Sequence, residues 1–404
     1  MSSNAGVTLE RTGSRLSPGC TDLSFQIHVH NAVADIGRDA WDACAHPTGD
    51  PFVSFDFLDA CEASGSAVAR QGWAGRHLSL RDEADRVLGV MPLWLKGNSQ
   101  GEYVFDHSWA DAYERAGGRY YPKLLAAVPF TPVTGPRFLA HPDADAATVR
   151  QALLQGALAL TEQLGVSSLH ANFPTRPEWD AMGEAGLLQR QDMQYVWRND
   201  GYQTFDDFLS ALSSNRRKTI RRERREAQAG LDIRVLTGSD VRDTHWDAFF
   251  AFYQDTGERK WGRPYLTRDF FSRLGATMAD RIALVMAFRD GVAIAGALNL
   301  IGDEALYGRQ WGALEEVPFL HFELCYYQAI DFAIALGLAR VEAGAQGEHK
   351  IARGYLPSPV YSAHFIADPA LRGPVARYLE GERPAVEAEI AVMTTELSPF
   401  RRGD

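Results

Sequence analysis

The chain has 404 residues, of which 46% are hydrophobic and 23% are charged, and its formal net charge is −11. This length exceeds one ordinary hydrophobic core and fits two domains of about 200 residues. The composition is that of a globular protein, and the acidic balance excludes a polycation that wraps nucleic acid with its whole surface. The four cysteines are scattered without a CxxC pair, which argues against a disulfide framework and against a zinc site. We expect no metal and no cofactor.

The termini and the hydropathy predict the compartment. No charged start followed by an apolar run is visible, and no stretch approaches the ~18–20 apolar residues that a membrane span needs. We therefore expect a cytoplasmic protein without a membrane span. Residues 1–22 are rich in Ser, Gly and Thr and are expected to be disordered.

The first half of the chain alternates short strands and helices. We predict strands at 24–30, in two runs within 77–95, at 166–173 and at 194–197, and helices at 36–44, 54–64, 142–165 and 178–185. Residues 97–137 hold many aromatic side chains among Gly and Pro and are predicted to form a long aromatic loop, which is more often functional than filler.

The second half repeats this plan. Thr204 is predicted to cap a helix that ends near residue 212, and a basic segment covers 215–229. Further helices are predicted at 245–254, 267–279, 319–336 and 369–397, and strands at 283–289, 292–301, 304–311 and 338–343.

Two parts of the sequence match each other. Val-Pro-Phe occurs at 128–130 and at 317–319, and each time an apolar helical run follows, then a glycine (Gly165, Gly337) and a short strand. The strand pairs within 77–95 and 283–301 precede them. This duplication predicts two related α/β (α+β) domains with mixed central sheets, at 23–200 and 201–384, followed by a tail at 385–404. We expect function between or within them.

The strongest candidate site follows the strand near residue 343. Gly344 and Gly347 permit close backbone approach, and loops that leave strand ends often bind ligands in α/β folds. Glu342 lies at the end of the strand, and the loop carries an amide, an acid, a candidate base and two cations: Gln346, Glu348, His349, Lys350 and Arg353. A solvated, salt-bridged loop is the alternative.

A second candidate is the basic segment. Seven of the ten residues 216–225 are Arg or Lys. Such crowding favours contact with phosphate, which Arg binds in bidentate fashion, over a merely solvated helix face. Arg216, Arg217, Arg221 and Arg222 are the expected phosphate ligands.

Aromatic and polar side chains elsewhere suggest further contacts. Lys260 and Trp261 lie in a basic-aromatic loop at 259–265, which suits either base stacking or a structural turn. The helix at 319–336 is apolar almost all round and carries His321, and Arg309 and Trp311 on the preceding strand are placed to line the same cavity. In the first unit, Asp106 and Trp109 belong to a polar-aromatic group that suits a substrate-binding wall or a hydrogen-bonded loop core.

Long segments of the chain resemble the bacterial FemAB-like N-acyltransferases. They include SSNRRKTIRRERR, ERKWGRPYLTRDFF, PFLHFELCYYQAIDFAI and VEAGAQGEHKIARGYLP, and the resemblance extends from about residue 25 to residue 384. It implies two tandem GNAT-like domains and an aminoacyl-transferring activity, with aminoacyl-tRNA among the possible donors and an amine of a small molecule or cell-envelope precursor as acceptor. Gly344 or Gly347 and Lys350 occupy the place of a glycine and a downstream lysine found in related domains.

The predicted reaction needs a base for the amine proton and a donor for the oxyanion. We expect Lys350 and Arg309 to stabilise the anion and Glu342 or His349 to be the base, with His321 and Tyr326 as secondary candidates. Where acyl-CoA enzymes carry a glycine-rich pyrophosphate turn, this chain has 312–319 with two glutamates and Pro318, which disfavours acyl-CoA. An acyl-CoA or carrier-protein-dependent transferase and a non-catalytic binding module stay open as alternatives. The oligomeric state is not predicted.

Overall fold

The computed structural model describes residues 25–261, 264–344 and 347–401, without the side chains of residues 260 and 261. Its helices are α1 Arg38–Ala45, α2 Phe55–Ala63, α3 His107–Arg115, α4 Ala146–Leu164, α5 Arg176–Glu184, α6 Phe205–Ala211, α7 Ser214–Gln228, α8 Asp243–Trp261, α9 Arg268–Thr277, α10 Leu320–Phe322, α11 Gln328–Ala335 and α12 Pro369–Glu396. A π-helical turn, Glu323–Tyr327, joins α10 to α11.

The strands are β1 Gln26–His30, β2 Trp73–Gly75, β3 His77–Arg81, β4 Val87–Met91, β5 Trp94–Lys96, β6 Lys123–Ala126, β7 Leu139–Ala140, β8 Ser168–Asn172, β9 Leu188–Arg198, β10 Asp232–Thr237, β11 Ile282–Arg289, β12 Val292–Ile301, β13 Ala305–Ala313, β14 Arg340–Glu342 and β15 Leu356–Ile366. In the described parts of the chain, no helix combines the length and the apolar character that crossing a membrane requires.

Two compact units divide the chain. Unit 1 contains the residues up to Arg190 together with Tyr361–Glu382, and unit 2 contains Gln191–Val360 and the residues from Arg383 onwards. The sequence-based division, which places residues 191–200 in the first domain and 361–382 in the second, stays a prediction. The predicted disordered segment 1–22 lies outside the described residues.

Unit 1 has two sheets. One is antiparallel, in the order β1-β3-β4-β7, and the other has the order β2-β5-β6-β8-β15 with β6 and β8 parallel. Helix α4 connects the parallel pair and ends at Gly165, whose left-handed φ of 60° a glycine adopts without strain. The core between α4 and the sheets includes Leu78, Leu153 and Leu169. Truncating one such buried leucine to alanine is expected to destabilise the unit by about 2–5 kcal/mol.

Unit 2 has one sheet in the order β10-β11-β12-β13-β14-β9, with β13 and β14 parallel and the other pairs antiparallel. The helical stretch α10–α11 connects the parallel pair and is followed by Gly337, at φ 68°. Both units therefore contain a parallel strand pair joined by a helix that ends at a left-handed glycine. The prediction of an α/β fold with mixed sheets is confirmed.

Two local predictions are corrected. Residues 97–137 are not one irregular loop, since they contain α3 and β6; the helix is short and amphipathic, with Trp109 and Ala110 as its buried residues. Strand β15 was not predicted, because Pro357 and Pro359 at its start are residues that central strands avoid. The cap at Thr204 is confirmed: its hydroxyl accepts from the Asp207 amide at 3.1 Å, and the Asp207 carboxylate accepts from the Thr204 amide at 2.9 Å.

Candidate functional site

The segment after β14 folds into a 3₁₀ turn, Glu348–Arg353, where the sequence predicted an irregular loop. Glycines bracket this turn, with φ 103° at Gly347 and 91° at Gly354. A Cβ at Gly354 would approach the Phe208 ring to 2.8 Å, so this position needs glycine for space as well as for conformation. The turn exposes His349 and buries Lys350 and Arg353.

Four side chains of unit 2 form what we term the imidazole cluster: Trp311, His321, Tyr326 and His349. The Tyr326 hydroxyl and His349 Nε2 are 3.1 Å apart. The ring centroid of His321 lies 5.3 Å from that of Tyr326 and 5.2 Å from that of Trp311. The structure therefore brings together residues from β13, the helical stretch and the 3₁₀ turn that the sequence could only name separately.

The protonation states in this cluster favour a base. Burial lowers the pKa of His349 below its ordinary value, and the nearby charges of Arg353 and Lys350 lower it further. Burial raises the pKa of Tyr326. At neutral pH the imidazole is therefore uncharged and the phenol keeps its proton, and the tautomer of His349 determines which of the two groups donates. In the tautomer that leaves Nε2 without a proton, Tyr326 donates to it and the pair can pass a proton onward.

A cavity of about 510 Å³ adjoins the cluster where β13 leads into α10. Its lining is Thr256, Arg259, Trp311, Ala313, Glu315, Glu316, Val317, Pro318, Leu320 and His321. Trp311 and His321 thus belong to both the cavity wall and the imidazole cluster. The two glutamates of the turn that the sequence singled out stand at this wall, where they oppose an anionic ligand.

Two charged groups at the cavity, Arg259 and Glu315, have partners within unit 2. Arg259 donates to the Ala313 carbonyl at 2.9 Å and pairs with Asp255, and Glu315 pairs with Arg289. These contacts hold the side chains of Arg259 and Glu315 in place at the cavity wall.

Lys350 does not enter the imidazole cluster. Its Nζ donates to the carbonyls of Ala343 and Gly344 at 2.6 and 3.0 Å, and it lies 5.6 Å from the centroid of the Tyr195 ring. Burial lowers the pKa of Lys350 to about 8. The ammonium thus ties the 3₁₀ turn to the end of β14, and its predicted role in anion stabilisation stays a prediction.

Glu342 and Arg309 lie on the adjacent strands β14 and β13. The Glu342 carboxylate accepts from Arg340 Nε at 2.9 Å. Burial raises the pKa of Glu342, while Arg340, Arg198 and Arg309 oppose that shift. Glu342 is therefore held in an ion pair, and of the two predicted bases His349 has the more suitable setting.

Helix α7 carries the basic segment and has two different faces. Arg216, Arg221 and Arg222 are exposed and Arg217 is half-buried. Arg221 pairs with Asp206 at 2.8 Å and Arg222 lies 3.8 Å from Glu226, both near the surface. The outer face therefore exposes several cations, and the binding of phosphate by them stays a prediction.

The inner face of α7 packs on the helical stretch after β13. Arg224 donates to Glu323 at 3.1 Å and to Asp331 at 3.2 Å. Gln228 and Gln328 donate to the same fully buried Glu323 at 2.8 and 2.7 Å. The buried carboxylate of Glu323 thus has partners from α7, as a buried polar group requires.

Arg353 was expected to bind substrate, but its side chain has contacts within unit 2. Nη2 donates to both oxygens of Glu223 at 2.9 Å, and Nη1 donates to the His349 carbonyl at 2.7 Å. The sequence did not single out Glu223 as a site residue. The only indication in the sequence is that this acidic residue lies within a run of arginines. Gln346 and the side chains of Lys260 and Trp261 lie outside the described residues.

In unit 1, Asp106 and Trp109 belong to a buried polar core. Asp106 is 2% exposed, accepts from the Tyr120 hydroxyl at 2.7 Å and pairs with Lys123, which is itself fully buried. Trp109 packs edge-on against His364, with ring centroids 5.0 Å apart. Of the two interpretations that the sequence allowed, these contacts favour the hydrogen-bonded loop core over the substrate-binding wall.

Comparisons with known proteins bear on the family. The FemAB-like family model, described as peptidoglycan biosynthesis/recognition, matches residues 32–402 and confirms the resemblance. No curated protein matches the chain.

Solved structures of similar fold were also found. FemX is 13% identical over 85% of this chain and 98% of its own, with a TM-score of 0.53. The C-terminal domain of a putative lysylphosphatidylglycerol synthetase from Agrobacterium fabrum is 11% identical over 83% and 96%, with a TM-score of 0.49. A tandem GNAT protein from the clavulanic acid biosynthesis pathway is 12% identical over 85% and 99%, with a TM-score of 0.44. At 13% identity the likeness to FemX concerns the fold alone.

Proposed function

The chain belongs to the FemAB-like family, and from that premise we propose that it is an N-acyltransferase of cell-envelope precursors. The donor is an activated acyl group, with aminoacyl-tRNA as the first choice, and the acceptor is an amine of a small molecule or envelope precursor. The observation that carries this proposal is the hydrogen bond of 3.1 Å between His349 and Tyr326, in a cluster whose other members, Trp311 and His321, line a cavity of about 510 Å³.

The reaction joins an acceptor nitrogen to the acyl carbon. The amine attacks the ester carbonyl, the new C–N bond forms, and the C–O bond to the donor breaks. The amine proton passes to Tyr326 as that hydroxyl gives its own proton to His349, and the leaving oxygen then takes the proton from the His349 imidazolium, which restores the neutral imidazole. The developing oxyanion needs a cation or N–H donor, for which Lys350 and Arg309 are proposed.

The charges at the site support this choice of donor. Glu315 and Glu316 at the cavity wall oppose a pyrophosphate, which argues against acyl-CoA bound at this turn. The exposed arginines of α7 provide cations for the phosphates of a tRNA end or a nucleotide-linked acceptor.

The decisive experiment offers matched donors to the purified protein. Aminoacyl-tRNA and acyl-CoA are each incubated with nucleotide-linked and free amine acceptors, and amide products are sought by mass spectrometry. Extracts of a deletion strain are searched for a missing acylated metabolite. We expect an amide product from aminoacyl-tRNA; product from acyl-CoA alone would reject the donor assignment, and salt-sensitive binding without any product would favour a non-catalytic module.

A further inference from the structure

We propose that Glu223 is a positioning residue: it holds Arg353 and, through Arg353, keeps the imidazole of His349 against the Tyr326 hydroxyl. The catalytic meaning of that placement rests on the proposed function, whereas the placement itself does not.

The Glu223 carboxylate is buried, and both of its oxygens accept hydrogen bonds. The residue is 4% exposed, and both of its oxygens accept from Arg353 Nη2 at 2.9 Å. The Tyr327 hydroxyl donates to the same carboxylate. A buried carboxylate with two such donors has one favourable orientation, so it fixes the donors as much as they fix it.

Arg353 links the Glu223 carboxylate to the imidazole cluster. Its Nη1 donates to the carbonyl of His349 at 2.7 Å, which holds the backbone of the residue that bears the imidazole. Its guanidinium also lies 3.4 Å from the centroid of the Phe322 ring. That ring is 5.5 Å from the His349 ring and 6.1 Å from the Tyr326 ring, so it packs against both members of the proton-passing pair.

Helix α7 thereby fixes both partners of the hydrogen bond. Glu223 reaches His349 through Arg353, and it reaches the π-helical turn that bears Tyr326 through Tyr327. The adjacent Arg224 binds Glu323 and Asp331 on the same helical stretch. A proton transfer depends steeply on the donor–acceptor distance, so a small shift of either side is expected to lower turnover.

The test compares four forms of the whole protein: wild type, Glu223→Gln, Glu223→Gln with Arg353→Met, and Glu178→Gln. Glu178 is the matched control, because it is a buried glutamate of unit 1, 5% exposed, that accepts from backbone amides at 2.9–3.1 Å. Glu223→Gln alone leaves the buried guanidinium of Arg353 without its carboxylate partner, which is expected to destabilise the fold. The double variant replaces that guanidinium as well, so the role of Glu223 can still be tested if the single variant folds poorly.

The first readout needs no substrate. The ring signals of His349 are followed by NMR with ¹³C-labelled histidine and are assigned from a His349→Gln variant. We expect them to shift in both Glu223 variants and to stay in place in Glu178→Gln. Signals that stay in place in the Glu223 variants would overturn the proposal, even if no donor ever yields a product.

The second readout separates positioning from stability. We expect Glu223→Gln to lower kcat by about tenfold or more while KM changes little, since the residue touches neither reactant. The double variant is expected to recover Tm but not kcat. Recovery of kcat together with Tm would mean that Glu223 only stabilises the fold. If the wild type forms no product, the proposed function fails and the NMR readout alone decides the role of Glu223.

Discussion

His349 Nε2 lies 3.1 Å from the hydroxyl of Tyr326, although 23 residues separate them along the chain. The helical stretch after β13 supplies one partner and the 3₁₀ turn after β14 supplies the other. The proposed acyl transfer depends on this hydrogen bond.

Removing the imidazole should abolish most of the transfer. We expect His349→Ala to lower kcat by about 10²–10⁴-fold, the usual contribution of a positioned general base, and Tyr326→Phe to lower it by less, because a water molecule can replace the phenol. The measurement is steady-state product formation by mass spectrometry. Tyr378→Phe is the control, since that tyrosine is 54% exposed in unit 1; equal turnover of His349→Ala and the control would remove His349 from the mechanism.

The activity should persist to mildly acidic pH. Burial and the charges of Arg353 and Lys350 lower the pKa of His349, so the imidazole stays uncharged, and able to accept a proton, below the pH at which an ordinary histidine is protonated. The acid limb of kcat/KM should therefore have its midpoint below about 6.5. Arg353→Met removes one of these charges and should move the midpoint upward, and a shift in the opposite direction would contradict the assignment.

Lys350 should affect both folding and catalysis. Lys350→Ala removes the donor to two carbonyls, which we expect to cost about 1–3 kcal/mol of unfolding free energy. We also expect kcat to fall by more than tenfold at temperatures where the variant stays folded. Thermal denaturation and product formation are measured on the same sample. A lower Tm with near-normal turnover would leave Lys350 as a clamp for the turn and reject its catalytic role.

The outer face of α7 should bind polyanions in a salt-dependent way. Replacing Arg216, Arg221 and Arg222 by Gln should weaken tRNA binding and flatten the slope of log K against log salt by about 0.7–0.9 for each phosphate that the protein no longer neutralises. Binding is measured by fluorescence anisotropy between about 50 and 200 mM salt. The control replaces Arg234, Arg273 and Arg281, which lie in other surface ion pairs. An equally large effect in the control would mean that binding depends on the net charge of the protein and not on the outer face of α7.

Two buried histidines should make unit 1 sensitive to acid. His170 and His364 face each other across β8 and β15, with their Nδ1 atoms 2.7 Å apart. Burial, with the charge of Lys123, lowers the pKa of His170 to about 3, and burial, with His170 and Arg190, lowers the pKa of His364. Below about pH 6.5 the unfolded chain therefore binds protons that the folded chain does not. The free energy of unfolding consequently decreases as the pH is lowered.

For each of these imidazoles the slope approaches about 1.4 kcal/mol per pH unit. Urea unfolding at pH 7.5, 6 and 5 should show a falling midpoint for the wild type and for His107→Ala, an exposed control. The His170→Gln and His364→Gln variants should show a flatter dependence. A dependence as steep as that of the wild type would mean that other groups dominate acid unfolding.

The sequence alone determined the local and repetitive features. Glycines at 165 and 337, the cap at Thr204 and the apolar periodicity of α4 and α11 predict turns, helix starts and buried faces, because these depend on neighbours within a few residues. The repeated pattern predicted two mixed α/β units, and long motifs identified the family. The basic face of α7 followed from composition in the same way.

Only the tertiary structure decided which polar side chains share a site and which serve the core. The predicted cations Lys350 and Arg353 both bind protein groups, and an unpredicted acid, Glu223, stands next to Arg353 although 130 residues separate them. Asp106 likewise belongs to a buried ion pair with Lys123. Pairing of this kind depends on strand order and helix packing, which bring distant residues together. A local sequence pattern does not identify the distant residue with which a side chain pairs.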